Sequence, residues 1–475
     1  MLPTQQEREG EHMAEVFDVV VIGGGPTGEN AGARAAAAGM SVALVEHELL
    51  GGECSYWACI PSKALLRPGD ALWMAKQVPG VRETLKGPLV ASAVLEHRDA
   101  MVGYYKDDSQ VKWAEGAKLK VVRGHGKLAG PRKVRVEAKD GSVRELEAKR
   151  AVVLATGSRP RIPDIPGLKE ARPWDNREGT AARQVPQRLL VLGGGVVAVE
   201  LAQAWRSLGA EVTLVERGKA LLSRFESFVG EQVEHALRED GVKVVMGATV
   251  TNVSRPGGQG EVTVKLSTGE ELRADALLVG MGRVPRTDEL GLETVGLKPG
   301  ETVQVDDQLR AKGVEGGWLY ACGDVNGRNL LTHMGKYQAR LVGDVIAGKK
   351  ASAWADTKAT PQVIFTHPQV ASVGLTEAKA REKGLPVRTV QYDLGKVSGT
   401  SLLGEKLGGT AKLVVDEKRR VVLGATFTGP EVGEMLHAAT IAVAGEVSLD
   451  TLWHAVPSFP TMSEVWLRLL EEYGL

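Results

Sequence analysis

Three short stretches hold residue types whose spacing could do chemistry. Gly23-Gly24-Gly25-Pro26-Thr27-Gly28 and Gly193-Gly194-Gly195-Val196-Val197-Ala198 are loops with small residues at the first, third and sixth places. Missing side chains there let a pyrophosphate lie against backbone N–H groups at the positive end of a helix. Each loop has an acid 18 residues past its last small residue, Glu46 and Glu216, where a carboxylate would accept hydrogen bonds from a ribose diol. The third stretch carries Cys54 and Cys59, five residues apart; with Cys322 they are the only cysteines, too few for a secreted disulfide framework and suited to a reducing compartment.

Such loops work only between a strand and a helix. Residues 17–46 read as a strand (FDVVVIG), a glycine turn, an alanine-rich helix ending at Gly39 and a strand (SVALVE) closed by the acid. A second copy runs from Arg188 to Glu216, with its helix reaching Leu208. Gly23 and Gly193, Gly25 and Gly195, Gly28 and Ala198, and Glu46 and Glu216 are each separated by 170 positions, a register that marks internal duplication. A bare G-x-G-x-x-G is a weak signal in a glycine-rich chain, but this context makes both loops specific. Glu216 favours a free 2′-hydroxyl and hence NADH, while Arg217 and Arg224 nearby keep NADP(H) open.

The 475 residues predict two to four domains. Between the copies lie a β-patterned stretch with a turn at Asp140-Gly141, then AVVLATGSRP and a proline-marked crossover at Pro160, Pro163 and Pro166. After Lys349 to Thr360 the chain alternates strands and helices in an α+β pattern. Lys plus Arg and Asp plus Glu are both 59, so the field that would gather nucleic acid or anionic lipid is missing. No stretch reaches the ~18 apolar residues of a membrane span, and residues 1–13 read as a loose polar extension. His125, His367 and His437 lack metal-ligand spacing, so no metal site is expected.

Further stretches carry a resemblance: Cys54 and Cys59 with Ile60-Pro61-Ser62-Lys63, Ala155-Thr156-Gly157, Gly282-Arg283-x-Pro285, Ala321-Cys322-Gly323-Asp324, Phe365-Thr366-His367-Pro368 and Pro460-Thr461-x-Ser463-Glu464. With the two loops, they make the chain resemble the class I pyridine nucleotide-disulfide oxidoreductases from Phe17 to Leu475, in wording most like the lipoamide dehydrogenases. The resemblance implies an α/β fold, two Rossmann-like dinucleotide-binding domains plus a C-terminal α+β dimerisation domain. It divides the chain into 14–160 for FAD, completed by 283–350, then 161–282 for NAD(P) and 351–475 for the interface. It implies a cytoplasmic homodimer acting on a small-molecule electron acceptor. Gly23, Gly25, Gly28 and Glu46 would hold the ADP half of FAD, Asp324 would meet its ribityl chain or phosphates, and Thr332 with His333 would lie near its pyrimidine edge. Thr156, Gly157 and Gly282 join the cofactor-binding set. Gly193, Gly195, Ala198 and Glu216 would hold NAD(H). Lys63 would sit by flavin N5 and pair with Glu200. Cys59 would be the flavin-facing member of a redox-active disulfide, and Cys54 the member that exchanges with substrate.

Two departures from the family pattern bear on the substrate. In this family a His just before Pro-Thr-x-Ser-Glu, supplied by the partner subunit and oriented by the Glu464 position, is the acid/base for the dithiol; here it is Phe459. A phenyl ring transfers no proton, and His454 lies five residues upstream beyond Pro457. The residues between the cysteines include Tyr56 and Trp57, either a drier pocket for a planar acceptor or packing against the helix. The mercuric reductases are disfavoured, since no C-terminal cysteine pair is seen. The expected activity is an FAD-dependent NAD(P)H oxidoreductase that delivers electrons through Cys54 and Cys59 or directly to an acceptor such as a quinone, with a dihydrolipoamide dehydrogenase or other dithiol reductase as the alternative.

Overall fold

Short valine- and leucine-rich runs bounded by glycine suit strands covered on both faces. In the computed structural model, which describes residues 14–475, the first such run is the strand Glu15–Ile22, and Val19 to Ile22 are all buried. The extension read over residues 1–13 lies outside the described residues. The described residues form two units, one of 14–56, 103–159 and 283–354, the other of 57–102, 160–282 and 355–475.

In the first unit Glu15–Ile22 pairs in parallel with Val42–Glu46 on one side and with the 12-residue strand Val143–Leu154 on the other. Leu119–Arg123 extends the sheet beyond Val42–Glu46, and Leu319–Ala321 pairs with Val143–Leu154. The first half of Val143–Leu154 also pairs antiparallel with Lys133–Glu137, which pairs with His125–Leu128, so one long strand serves a parallel sheet and a meander. Helices Pro26–Ala37 and Thr332–Ile346 pack on each other; a Cβ at Gly343 would fall 2.6 Å from the Arg34 side chain, so glycine sets that close approach.

The second unit repeats the parallel pattern with Arg188–Leu192 between Glu211–Glu216 and Ala276–Val279, and Lys243–Met246 outside. A three-stranded antiparallel sheet spans Val250–Ser254, Val262–Leu266 and Glu271–Ala274. The C-terminal part is a five-stranded antiparallel sheet from Pro361 to Gly429, whose core it shares with helices Val432–Ala444 and Val465–Tyr473. Residues 57–102 group with the second unit. Leu65, Leu66, Val94 and Leu95 share a core with Val199, Ala202 and Trp205 of helix Val196–Ser207, so burial of these leucines, not chain order, sets the boundary. Among the described residues no helix is long and apolar enough to cross a membrane.

Candidate active site

The first loop divides its glycines between fold and ligand. Gly23 sits at φ +106°, in the region that favours glycine, and donates its N–H to Val45 O at 2.9 Å. A Cβ on Gly28 would lie 1.8 Å from Gly23 O, so both are demanded by the turn itself. Gly25 is different: a Cβ there meets only Gly52 Cα, at 3.9 Å, and φ is −73°. The fold does not need that glycine, and the room it leaves beside the N-terminus of Pro26–Ala37 suits a phosphate. Glu46 accepts from Gly24 N at 2.8 Å and from Glu48 N at 2.7 Å. Burial pushes its carboxyl up, but bonds from His47 and these two N–H groups outweigh it and hold the acid below the usual range.

The first unit holds five other candidate site residues: Cys54, Thr156, Gly157, Asp324 and Thr332. Thr27 lies against Gly323 and Gly335, where any Cβ would crowd its side chain. Thr332 opens helix Thr332–Ile346, and its Oγ1 donates to Cys54 Sγ at 3.2 Å. Ser158 Oγ donates to Asp324 at 2.5 Å; burial holds that carboxyl above its ordinary value against the lowering by Ser158 and Arg283. Thr156 and Gly157 are tied to Arg286, through Thr156 Oγ1 to Arg286 O and Arg286 N to Gly157 O.

In the second unit helix Cys59–Gln77 packs on Val196–Ser207, with Gly69 against Ser207. That packing brings Lys63 Nζ to 2.7 Å from Glu200 Oε2, whose side chain is only 4% exposed. The other carboxylate oxygen accepts from Phe365 N at 2.9 Å, and Lys63 Nζ lies 5.0 Å from the Phe365 ring centre. Two cationic and polar donors thus hold a buried anion in a fixed orientation. Phe365 was noted in the sequence but given no task; its backbone contribution leaves no signal in residue type.

The second loop repeats the division. Gly193 is at φ +114°, and a Cβ at Gly195 would meet no atom within 4 Å. Alanine stands at 198 where the first copy has Gly28, and a Cβ on the neighbouring Gly280 would fall 3.1 Å from the Ala198 Cβ. Glu216 accepts from Gly218 N at 2.6 Å. Gly282 lies at φ +104° with open space at its α-carbon, and its carbonyl accepts from Arg161 N. Gly195→Ala is expected to leave the thermal midpoint unchanged and to raise the KM for the nicotinamide nucleotide about tenfold, a cost of ~1.4 kcal/mol; an unchanged KM contradicts this use of the loop.

The aromatic residues between the cysteines do not form a shared stacking platform. Tyr56 is 1% exposed, its hydroxyl donates to Leu50 O at 3.0 Å, and burial pushes its phenol up to about 12, so it packs. Trp57 has the Arg177 guanidinium 4.0 Å over its ring, and its carbonyl accepts from Asn176 Nδ2 at 2.8 Å and Thr180 Oγ1 at 3.1 Å. These clamps come from residues more than 115 positions away, so sequence reading missed them. His367 stacks on Trp73 and bonds Asp240, a structural use. Cys322 is completely buried, which pushes its thiol up to about 12.

At the C-terminal end Phe459 is 73% exposed. Glu464 is buried; Oε1 accepts from Arg468 Nη2 at 2.5 Å, and Oε2 has no hydrogen-bond partner among the described residues. His454 is an exposed residue closing helix Leu449–Trp453, and no bond joins it to Glu464. It does not replace the missing imidazole within this chain.

Two glycine loops that each open a helix, with a cysteine pair between them in the sequence, are the pattern of a dinucleotide-dependent oxidoreductase. Residues 17–339 match the pyridine nucleotide-disulphide oxidoreductases and residues 360–469 their dimerisation domain. The chain belongs to this family and is an FAD-dependent NAD(P)H oxidoreductase of the disulfide reductase kind. It is 33% identical over 464 residues to dihydrolipoyl dehydrogenase of Chlorobaculum tepidum, covering 96% of this chain and 97% of that one. It is 29% identical over 452 residues to mercuric reductase of Staphylococcus aureus, covering 94% and 81%. Among solved structures, the Cu(II) complex of the HOCl-induced flavoprotein disulfide reductase RclA from Escherichia coli is similar, with TM-score 0.84 and 25% identity over 97% of this chain and 99% of that one.

Proposed function

We propose that this protein, as a cytoplasmic homodimer, takes hydride from NADH at the second loop and reduces a small-molecule acceptor outside dithiol/disulfide chemistry, such as a quinone, with Cys54 and Cys59 taking part. Phe459 carries this reading: where the family places the imidazole that moves dithiol protons, this chain exposes a phenyl ring and leaves Glu464 Oε2 without a partner. Bound FAD supplies the two-electron step between nicotinamide and disulfide.

The side chains have assignable tasks. Gly193, Gly195 and Ala198 let the NADH pyrophosphate approach the backbone, and Glu216 accepts from the ribose; Gly23, Gly25, Gly28 and Glu46 do the same for FAD. Asp324, Thr156, Gly157 and Gly282 shape the remaining cofactor surface. Glu200 fixes the Lys63 ammonium, a positive charge that favours electron-rich states of its neighbours. The Thr332 hydroxyl, at a helix N-terminus, stabilises negative charge on the Cys54 sulfur. A quinone takes two electrons and two protons, and the protons can come from solvent, so no imidazole is required. Mercury reduction lacks support because Cys322, the one cysteine outside the pair, is completely buried.

Cys59→Ser tests the route. If the pair takes part, turnover of NADH with benzoquinone falls about tenfold or more. Unchanged turnover makes the pair a passenger.

A further inference from the structure

The two loops differ at one position that neither the turn nor the helix requires. One residue past Gly28, Glu29 occupies the place that Val199 fills 170 positions later, and both backbone N–H groups bond the third glycine of their loop, Gly25 and Gly195. Val199 is completely buried, so an apolar side chain satisfies this site in the repeated fold. Glu29 instead places a carboxyl there, and its Oε1 is buried with no hydrogen-bond partner among the described residues. An unpaired buried acceptor costs stability, and a chain that carries the apolar solution in its other copy gains nothing structurally from it.

We propose that Glu29 serves FAD binding as a neutral carboxylic acid, so that FAD is held tightly when Glu29 is protonated and more weakly when it ionises in the helical turn that receives the pyrophosphate. The inference rests on the reading that the first loop holds FAD. Three titratable groups act on this side chain: Lys336 from Thr332–Ile346 favours the anion, Glu46 from Val42–Glu46 disfavours it, and Tyr56 from Gly52–Tyr56 is neutral at these pH values. Burial is the largest influence, and the carboxyl is pushed up to about 7. The sign follows. Below that value Glu29 is uncharged and adds no repulsion to the pyrophosphate; above it the anion opposes the bound dianion, so affinity falls as pH rises.

The experiment is equilibrium release of FAD from the holoenzyme between pH 6 and pH 8.5, read as free flavin fluorescence in the filtrate, with no turnover involved. The FAD Kd is expected to rise about tenfold across that range, the equivalent of one pKa unit of linkage. In Glu29→Gln, and in Glu29→Val, which copies the second loop, it is expected to stay flat and near the pH 6 value. A flat profile in the unsubstituted protein overturns the proposal. So does an equally steep one in Glu29→Gln, which would assign the dependence to His47, raised by its bond to Glu46. Gly25→Ala separates the underlying reading, since FAD retained undiminished in that variant means the first loop does not hold it.

Discussion

Replacing Phe459 by histidine raises turnover with dihydrolipoamide by about 10²-fold or more, the lower end of what general acid/base catalysis contributes. The resemblance pairs an imidazole at this position with Glu464, which is 7% exposed, with Arg468 on one oxygen and no hydrogen-bond partner on Oε2 among the described residues. The gain should vanish below the imidazole pKa of ~6.5, where the base is protonated. Phe459→Ala, which removes the ring without supplying a base, should show no gain. If Phe459→His turns over dithiol no faster than the unsubstituted protein, the missing base is not what separates this chain from dithiol chemistry.

Gly28→Ala is expected to have the largest structural effect. Its Cβ would sit 1.8 Å from the Gly23 carbonyl oxygen, a backbone atom of the same turn, and Gly23 is itself tied through its N–H to Val45 O at 2.9 Å. Overpacking of this kind costs ~1–3 kcal/mol or more. The purified variant should therefore melt several degrees lower and carry little FAD. Alanine stands at the matching position of the second copy, Ala198, so the constraint belongs to the first turn and not to alanine in general. A yellow, fully loaded Gly28→Ala with an unchanged midpoint would mean that the turn relaxes.

What could be read from sequence was whatever is local and periodic. Both strand-turn-helix-strand units follow from apolar runs broken by glycine, and the 170-residue register aligns their acids. What stayed hidden depends on contacts between distant residues. Tyr56 and Trp57 are adjacent, yet one turns into the core and the other is gripped by Asn176, Arg177 and Thr180, a choice that no local pattern encodes. The grouping of residues 57–102 with the second unit follows from leucines whose partners lie more than a hundred residues away. Glu46 accepts from Gly24 N of its own loop, and Glu46 and Glu216 each accept from the backbone N–H two residues on, a task that an acid read only as a ribose ligand conceals.

The central claim is that this disulfide reductase delivers its electrons to something other than a dithiol or disulfide. The most direct measurement is steady-state NADH oxidation by the purified yellow protein with benzoquinone and, separately, with lipoamide. The prediction is turnover with benzoquinone about 10²-fold above that with lipoamide, the factor that a missing acid/base group accounts for. Lipoamide turnover equal to or above that with the quinone would contradict the account.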